Sequence, residues 1–454
     1  MRMTRRKFLG ATAAAAAGPM VLRRLALAGE AATGAGDRLN IALVGTGGRM
    51  QPLVKTLTQG LRQNVVALCD VDANQIDRTR KSIGEPLAKA RDYKDYRKLL
   101  ESEKSVDAVV VATPDHWHAR ICQAAIEAGK HVYCEKPLTH TLAESRLIRE
   151  LSRKAKVVTQ TGNQGSAATP LRRAIEVIQS GALGQVREVH AWHPPHGWPC
   201  GVDRPSGQDA VPAGFDWDFW IGPAPMRPYK NGIYHPVAWR GWYDFGGGSV
   251  ADFCCHAFNL PVRALNLTYP EKIEISGTDM GKESFPTSCK VVYSFPARGE
   301  MPPVKIFWYT GQTMPPEAVT NVMLPTWGKV SGTGCLIVGD KGTISAGLWN
   351  DTCTLKLNDE KKFRGIMDHL AVKDVAKTIP RVAGHIDEWV DACKGRGKCF
   401  SDFDFGGRLT EIGLAGMVAL RLNRGIEWDG LAMKVKGAPE AEALINPKPR
   451  DTWQ

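Results

Sequence analysis

The stretch Leu39-Asn-Ile-Ala-Leu-Val44, followed directly by Gly45-Thr46-Gly47-Gly48, decides the fold of this chain. A continuous apolar run that ends in glycines is typical of a parallel strand buried on both faces. Glycines at positions 45 and 47 permit a tight turn and a close approach of the backbone to a pyrophosphate, which the N-terminus of the next helix attracts. Met50 replaces the third glycine of the G-x-G-x-x-G pattern, so the prediction depends on the elements that follow.

Those elements alternate as a doubly wound sheet requires. The apolar run 65–69 ends in Asp70, 25 residues after Gly45, where an acid accepts hydrogen bonds from an adenosine ribose. A carboxylate there repels a 2′-phosphate, which favours NAD over NADP. We expect a Rossmann domain over residues 37–160, with helices at 51–60, 96–101 and 118–128 and strands at 108–112 and 131–134.

The pattern changes after residue 160, where strands separated by loops replace the alternation. A helix at 170–180 is followed by strand-like runs, and Gly339-Asp-Lys-Gly342 is typical of a hairpin turn. This predicts an α/β protein whose C-terminal α+β domain, residues 161–435, carries a large, mainly antiparallel open sheet, followed by a tail at 436–454. The expected strands are 186–192, 272–277, 288–295, 304–309, 336–346 and 352–357, and the last helices are 385–394 and 409–424.

Two motifs at the predicted strand ends and a third further along the chain resemble the Gfo/Idh/MocA oxidoreductases, the family of glucose-fructose oxidoreductase and inositol dehydrogenase. They are Val-Ala-Thr-Pro-Asp-His-Trp-His-Ala at 111–119, Ala-Gly-Lys-His-Val-Tyr-Cys-Glu-Lys-Pro-Leu at 128–138, and the run from Trp239 to His256. The resemblance implies catalysis by the lysine of Glu-Lys-Pro and by an Asp and a His, here Lys136, Asp252 and His256. Asn259 stands where many relatives have a second acid.

The chemistry of these three residue types agrees with that implication. Asp252 and His256 are four residues apart, so a continuous helix would place them on one face. A carboxylate beside an imidazole orients it for proton exchange near neutral pH, while Lys136 can polarise a reacting hydroxyl. Each residue also has a purely structural interpretation: Lys136 as a solvated charge, Asp252 as a helix cap and His256 as a core histidine.

Glycine-loop and strand-end residues are the candidates for binding the cofactor, and an aromatic-rich stretch supplies candidates for binding a sugar, whose C–H patches pack on flat rings. A tryptophan cluster packed under long loops is the alternative for that stretch. We expect no metal site. The cofactor candidates are Gly45, Gly47, Gly48, Arg49, Met50, Asp70, Thr113, Pro114, His116, His118, Glu135, Lys136, Gln164, Trp239 and Arg240. The substrate candidates are His193, Trp198, Tyr234, Trp242, Asp252 and His256.

The N-terminus predicts export. Thr4-Arg-Arg-Lys-Phe-Leu9, an alanine-rich run and Ala26-Leu-Ala28 have the order of a twin-arginine signal peptide, residues 1–28, recognised by the twin-arginine translocase and cleaved outside the cytoplasm. These residues hold six of the basic residues and no acid, which lowers the formal charge from +12 to +6. We expect no nucleic-acid partner and no membrane span. Most of the eleven cysteines are expected to be buried thiols, with one disulfide bond as the alternative.

Together these features favour an exported, periplasmic NAD(P)-dependent oxidoreductase that acts on CH–OH groups of a sugar, glycoside or cyclitol with a tightly bound nicotinamide. The alternative is an NAD-dependent glycoside-cleaving enzyme that oxidises its substrate transiently and then eliminates. A sugar-binding protein that merely retains the fold is a third possibility. The family resemblance also implies a homo-oligomer, a dimer or tetramer, formed through the open face of the large sheet.

Overall fold

A computed structural model describes residues 37–195, 197–278 and 281–453. The predicted signal peptide lies outside these ranges. The first six strands form one parallel sheet in the order β3-β2-β1-β4-β5-β6, which confirms the doubly wound topology. They are β1 Asn40–Val44, β2 Asn64–Cys69, β3 Arg91–Tyr93, β4 Ala108–Val111, β5 His131–Cys134 and β6 Thr159–Thr161.

Five helices connect these strands, and side-chain caps fix where several of them begin. Asp72 accepts a hydrogen bond from the Asn74 backbone N–H at 3.1 Å, and Thr141 forms a capping box with Glu144. The helices are α1 Met50–Lys55, which continues as a π-helical turn over Thr56–Gly60, α2 Ala73–Ile83, α3 Tyr96–Ser102, α4 Asp115–Glu127 and α5 Leu142–Lys154.

The second domain contains the large sheet, in the order β14-β13-β12-β11-β7-β10-β9-β8-β15-β16. Within the described residues, β7 and β10 pair in parallel and the other neighbours are antiparallel, as expected. The strands are β7 Val186–His193, β8 Lys272–Thr278, β9 Ser288–Phe295, β10 Val304–Thr310, β11 Gly334–Gly339, β12 Gly342–Ala346, β13 Cys353–Leu357, β14 Arg364–Gly365, β15 Ile426–Asp429 and β16 Lys434–Val435.

One face of this sheet is covered by apolar side chains of the long helices, among them Ile175, Leu414 and Val418, which form one core with Ile306 and Ile337. The helices of this part are α6 Thr169–Gln179, α7 Trp217–Ile221, α8 Gly248–Asp252, α9 Cys254–Ala257, α10 Asn259–Ala264, α11 Glu317–Thr320, α12 Leu324–Trp327, α13 His385–Cys393, α14 Phe403–Arg421 and α15 Glu442–Ile445.

A long insertion between β7 and α8, residues 194–247, packs against the Rossmann domain. The Ala73 backbone N–H donates to the Gly214 carbonyl at 3.0 Å, and Asp72 and Phe215 form an antiparallel bridge. The C-terminal tail joins this contact, since the Trp453 ring lies 5.1 Å from Trp117 in an edge-on arrangement. The insertion therefore covers the sheet edge at which the glycine loop lies.

All eleven cysteines lie within the described ranges, where they are free thiols and eight of them are buried. No helix in that part of the chain combines the length and the apolar character needed to cross a membrane. Assembly into an oligomer stays a prediction.

Candidate functional site

The glycine loop approaches the neighbouring strand so closely that residue 45 must lack a side chain. Gly45 has φ +78°, and a Cβ on it would lie 2.6 Å from the Thr113 backbone nitrogen. Its N–H donates to the Cys69 carbonyl at 2.9 Å, so the loop is hydrogen-bonded to the end of β2 and packed against the residue that follows β4. Gly47 and Gly48 follow, and the Met50 N–H donates to the Gly47 carbonyl as α1 begins. This cradle fits the diphosphate of a dinucleotide.

Asp70 lies where the sequence predicts the ribose-binding acid. Its Oδ2 accepts hydrogen bonds from the Thr46 backbone N–H at 2.7 Å and the Thr46 hydroxyl at 3.1 Å, and its Oδ1 accepts from the Asp72 N–H. Burial raises the pKa of Asp70, and these hydrogen bonds partly offset the rise. Oδ1 accepts only one of these hydrogen bonds and a carboxylate oxygen can accept two, so a ribose hydroxyl can still bind there. Gly45, Thr46 and Asp70 are called the Asp70 end below.

A cavity of about 590 Å³ extends from the glycine loop to Lys136, a size within the roughly 300–1,000 Å³ usual for ligand sites. Both domains and the insertion line it. Predicted site residues on its wall are Gly45, Gly47, Gly48, Arg49, Asp70, Thr113, Pro114, His118, Glu135, Lys136, Trp198, Trp239, Arg240 and Asp252.

At the far end of the cavity, Lys136 and Asp252 form an ion pair. The Lys136 Nζ lies 2.9 Å from Asp252 Oδ1 and 3.3 Å from the Asp252 backbone carbonyl, and the Arg240 Nε lies 3.7 Å from the same Oδ1. Burial by itself raises the pKa of Asp252, but the two cations outweigh it and hold that pKa below its ordinary value. Asp252 is therefore ionised at neutral pH.

Asp115, which the site prediction omitted, belongs to the same cluster. It is buried on the cavity wall at the first turn of α4, and its Oδ2 accepts a hydrogen bond from the Gly247 N–H at 3.3 Å. Burial and the negative charge of Asp252 raise the pKa of Asp115 well above its ordinary value. Its place in the Thr-Pro-Asp motif was the available sequence signal. Lys136, Asp252, Arg240 and Asp115 are called the Lys136 end.

His256 is near this end, but it does not line the cavity and does not share a continuous helix with Asp252. The helix is interrupted at Phe253, and the His256 backbone N–H donates to the Phe253 carbonyl at 3.0 Å. The His256 side chain is buried, and its Nδ1 has no hydrogen-bond partner among the described residues. Burial, and then Lys136, lower the pKa of His256 well below its ordinary value, with Asp252 opposing them. The imidazole is therefore neutral, the form that can accept a proton.

Glu135 connects the glycine loop to the Lys136 end. Its Oε1 accepts a hydrogen bond from the Arg49 Nε at 2.9 Å, and the Gln164 side chain donates to the same oxygen at 3.1 Å. Because Glu135 is nearly inaccessible, these partners hold the carboxylate in one orientation. Gln164 thus contacts a cavity-lining residue without lining the cavity itself.

His118 lines the cavity between two carbonyl groups. Its Nδ1 lies 2.7 Å from the Pro137 oxygen and its Nε2 lies 2.9 Å from the Thr113 oxygen. Burial lowers the pKa of His118 to about 4, although both carbonyls oppose the shift. A neutral ring donates through one nitrogen only, so His118 hydrogen-bonds one of these two carbonyls and lies in contact with the other.

Several predicted ligand residues are instead used for packing, which corrects their placement at the cavity. Met50 is fully buried, and His116 packs between the rings of Trp220 and Phe245 at 5.4 and 5.2 Å. Tyr234 and Trp242 lie in an aromatic core inside the insertion, together with the neighbouring rings Phe215, Trp217, Trp220, Tyr229 and Phe245. These aromatic residues form a separate core that stabilises the insertion.

His193 and Trp198 have a different environment from those packed residues. The His193 ring stacks on the Phe253 ring at 3.7 Å, and the Trp198 ring also stacks on Phe253, with the ring centres 5.8 Å apart. Trp198 and Phe253 line the cavity, whereas His193 lies behind them. Phe253, next to Asp252, was absent from the predicted site because nothing in its spacing distinguishes it from a core phenylalanine.

His235, also unpredicted, closes the Asp70 end from the insertion side. Its Nε2 lies 3.1 Å from Asp72 Oδ2, and its ring stacks on Phe215 at 4.7 Å. Burial by itself raises the pKa of Asp72, but hydrogen bonds from Asn74, Gln75 and His235 bring that pKa below its ordinary value. The pair therefore fastens the insertion to the start of α2.

Comparisons with known proteins agree with this architecture. Residues 39–163 match the family model described as an oxidoreductase family, NAD-binding Rossmann fold, and residues 169–300 match its C-terminal alpha/beta domain. Inositol 2-dehydrogenase of Salmonella typhimurium is 33% identical over 130 residues, 28% of this chain and 38% of that protein. A glycosyl hydrolase family 109 protein of Stenotrophomonas maltophilia is 36% identical over 140 residues, 29% of each chain. The matches thus span less than half of these curated relatives.

Among solved structures, levoglucosan dehydrogenase in complex with NADH and levoglucosan superposes with a TM-score of 0.59 at 16% identity, covering 87% of this chain and 100% of that one. The WlbA dehydrogenase of Bordetella pertussis, in complex with NADH and UDP-GlcNAcA, gives 0.59 at 17% identity, covering 86% and 98%. These likenesses establish the fold. Since the two family models together match more than half of the sequence, the chain belongs to the Gfo/Idh/MocA family of oxidoreductases, and its N-terminal domain is the NAD-binding Rossmann domain of that family.

Proposed function

We propose that this protein transfers hydride between a carbinol carbon of a sugar, glycoside or cyclitol and NAD. The observation that carries the proposal is the ion pair of the partly buried Lys136 with the buried Asp252, on the wall of the cavity that begins at the glycine loop. Bound NAD supplies the hydride acceptor, which a protein side chain cannot replace. The chain itself must position the alcohol and take up its proton.

Lys136 is suited to bind the reacting hydroxyl. Its ammonium has three donor hydrogens, and Asp252 offers it two acceptors, the carboxylate Oδ1 and the backbone carbonyl. The third donor can hold the substrate oxygen and stabilise the negative charge that develops on it. Asp252 keeps the ammonium in place, and the neutral His256 accepts the hydroxyl proton.

The substrate class is supported by the relatives' names and by the site. Inositol 2-dehydrogenase and 1,5-anhydro-D-fructose reductase are among the similar proteins, and both names refer to ring-shaped polyols. The cavity wall beside Lys136 carries Trp198 and Phe253, flat surfaces that suit the C–H face of a sugar ring. Polar and charged groups next to them match the hydroxyls.

Export by the twin-arginine route is part of the proposal, since that route carries folded proteins and allows NAD to be loaded beforehand. The insertion lies over the cavity, which supports a tightly held cofactor. In this proposal a second substrate re-oxidises that cofactor in place. Changing Arg5 and Arg6 to lysine should leave the protein, with its cofactor, in the cytoplasm. Fractionation by immunoblot measures this, and an unchanged periplasmic fraction would contradict it.

A glycoside-cleaving enzyme is the second candidate, favoured by the similarity to the glycosyl hydrolase family 109 protein. In that reaction the hydride returns to the product and no acceptor is consumed. The intact Glu-Lys-Pro at 135–137 and the Lys136–Asp252 pair favour net oxidation instead.

The decisive experiment has two stages. Nucleotide released from the denatured mature protein is quantified by absorbance and mass, with about one NAD(H) per chain expected for a tightly held cofactor. The loaded protein is then mixed with a panel of cyclitols, monosaccharides and aryl glycosides, while NADH absorbance and aglycone release are followed. NADH formation supports oxidation, and aglycone release without net NADH supports cleavage. A protein that neither contains nor binds NAD or NADP contradicts both.

A further inference from the structure

An exposed tryptophan stands beside His256 on the turn between β12 and β13. Trp349 is 45% exposed, although its neighbours Leu348 and Asn350 are almost completely buried. Its ring centre lies 5.9 Å from that of His256, with the planes tilted by 50°. A large apolar ring so exposed next to a buried imidazole calls for an explanation, because a tryptophan normally gains stability from burial.

The turn that presents Trp349 is rigidly anchored. The buried Asn350 side chain accepts a hydrogen bond from the Leu260 N–H at 3.1 Å and donates to the Gly347 carbonyl at 2.9 Å. Asn350 has φ +56°, a conformation that asparagine tolerates better than most residues, and its N–H also donates to Gly347. The ring is therefore displayed by a fixed backbone and not by a loose loop.

The turn also packs tightly on the segment that follows β6. A Cβ on Gly165 would lie 1.8 Å from the Trp349 carbonyl oxygen, so only glycine permits this approach. Nearby, Asn259 donates to the Ser166 hydroxyl at 2.9 Å, and the Asn163 side chain donates to the Cys255 carbonyl at 2.6 Å, directly before His256. The position of Trp349 relative to His256 is thus fixed from both sides.

We propose that Trp349 is a stacking surface for a ring-shaped polyol, a pyranose or a cyclohexane polyol, whose carbinol is directed at His256. The inference rests on the proposed function for the identity of the reacting group. Such rings have a face of C–H bonds that packs on an indole and an edge of hydroxyls that stays free. An acyclic polyol has no fixed flat face and must also lose rotational freedom on binding, so it gains much less from the same surface.

The test measures binding as well as turnover, because binding does not need the redox reaction. Wild type, Trp349→Ala and Trp349→Phe are titrated calorimetrically with myo-inositol, methyl β-D-glucopyranoside and the acyclic D-glucitol, and their kcat and KM are measured with NAD. For the best cyclic ligand we expect Trp349→Ala to raise Kd and KM by about tenfold with kcat little changed, and Trp349→Phe to restore most of the affinity. D-glucitol binding should be equally weak in all three proteins.

Trp327 provides a matched control, since it is 41% exposed in the same domain but stacks on Phe363 instead of His256. Trp327→Ala should leave cyclic-ligand affinity unchanged, and an equal loss in that variant would overturn the proposal. Unchanged affinity in Trp349→Ala, or a change only in its oligomeric mass by light scattering, would also overturn it. So would a wild-type protein that binds neither cyclic ligand.

The two proposals can fail separately. Cyclic ligands that bind through Trp349 without NADH formation would contradict the proposed oxidation and support the stacking surface. Oxidation with a KM that is indifferent to Trp349 would do the reverse. Thermal unfolding of each variant verifies that the anchored turn is still folded.

Discussion

The two ends of the cavity are built on different principles. At the Asp70 end, the residues belong to one β-α-β unit, and backbone N–H groups and a glycine without a side chain determine the geometry. At the Lys136 end, the charged groups come from four separate segments of both domains and the insertion, and their mutual attraction and repulsion determine their ionisation. Substitutions at the Asp70 end should therefore act mainly by changing its shape, and substitutions at the Lys136 end mainly by changing the number of charges.

The strongest test of this contrast removes Lys136, one of the two cations of the Lys136 end. Lys136→Met should lower kcat by about a thousandfold, because it removes the donor to the reacting oxygen and leaves Asp252 with a weaker counter-charge. NADH affinity, which depends largely on the opposite end, should change little. Steady-state kinetics and NADH fluorescence titration measure the two quantities.

Two further variants separate catalysis from stability in that test. Lys136→Met leaves a buried carboxylate without its closest partner, which commonly costs about 3–5 kcal/mol of unfolding free energy. Adding Asp252→Asn removes the unpaired charge and should restore the melting temperature but not kcat. Lys136→Arg keeps the cation and should retain more activity than Lys136→Met. A Lys136→Met protein with wild-type kcat would refute the role given to this lysine.

The complementary test changes shape at the Asp70 end. Gly45→Ala places a methyl group 2.6 Å from the Thr113 nitrogen, at φ +78°. The loop must move, and a misplacement of about 1 Å in a site can cost an enzyme about a hundredfold in rate. Kd for NADH, measured by fluorescence titration, is expected to rise by that order, while turnover at saturating NAD falls less.

Gly129→Ala is the control for Gly45→Ala. Gly129 has a similar φ of +70°, but no described atom lies within 4 Å of a Cβ placed there. It therefore imposes the same backbone strain, about 1–2 kcal/mol, without the clash. If both variants raise the Kd for NADH equally, the close approach of Gly45 to Thr113 is not the cause of the weaker binding.

The same contrast explains which parts of the fold and of the site could be predicted from the sequence. Four of the six parallel strands were predictable because each is a short apolar run followed by glycine or a polar loop. β3 (Arg91–Tyr93) and β6 (Thr159–Thr161) contain no such run and were not predicted, and neither was α5, although Thr141 and Glu144 form a capping box at its start. The Lys136–Asp252 contact joins residues 116 apart. Spacing along the chain cannot give such a contact, and only the family resemblance indicated it.

The insertion shows where sequence interpretation fails. Exposed sugar-binding rings and a buried aromatic core have the same composition, so Tyr234 and Trp242 were assigned to the substrate although they pack internally. Asp252 and His256 were predicted to share one helix face because they are four residues apart. That prediction assumed a helix that continues through Phe253. The charge state of Asp115 depends on burial and on Asp252, which are properties of the folded protein alone.

A smaller effect is expected where the insertion is fastened over the Asp70 end. His235→Ala removes the contact to Asp72 Oδ2, a hydrogen bond to a charged group, and should increase the dissociation rate of NADH by about tenfold. Stopped-flow displacement of NADH by excess NAD measures that rate. Lys230→Ala removes an ion pair to Asp209 within the same insertion, neither residue of which lines the cavity, and should have almost no effect. Equal rates in all three proteins would show that the insertion does not retain the cofactor.

The smallest expected effect concerns the charge balance at the Lys136 end. Because the folded protein raises the pKa of Asp115 above its ordinary 3.8, the protonated carboxyl is favoured by folding. The stability from this group is present below pH 3.8 and is lost as the pH rises through the raised pKa. Asp252 has the opposite sign, since its lowered pKa makes its contribution disappear as the pH falls.

Asp115→Asn should isolate the first of these two dependences. Asparagine keeps an oxygen to accept the Gly247 N–H but never ionises, so the variant should melt above wild type near about pH 8, by roughly 2–4 °C for each ~1 kcal/mol, and match it near about pH 4. Glu127→Gln, at the exposed end of the same helix, should show no such divergence. If Asp115→Asn instead melts lower than wild type at the alkaline end, the carboxylate is needed in its charged form. The Lys136 end would then hold two anions against its two cations, and the buried pair would be part of a balanced four-charge network.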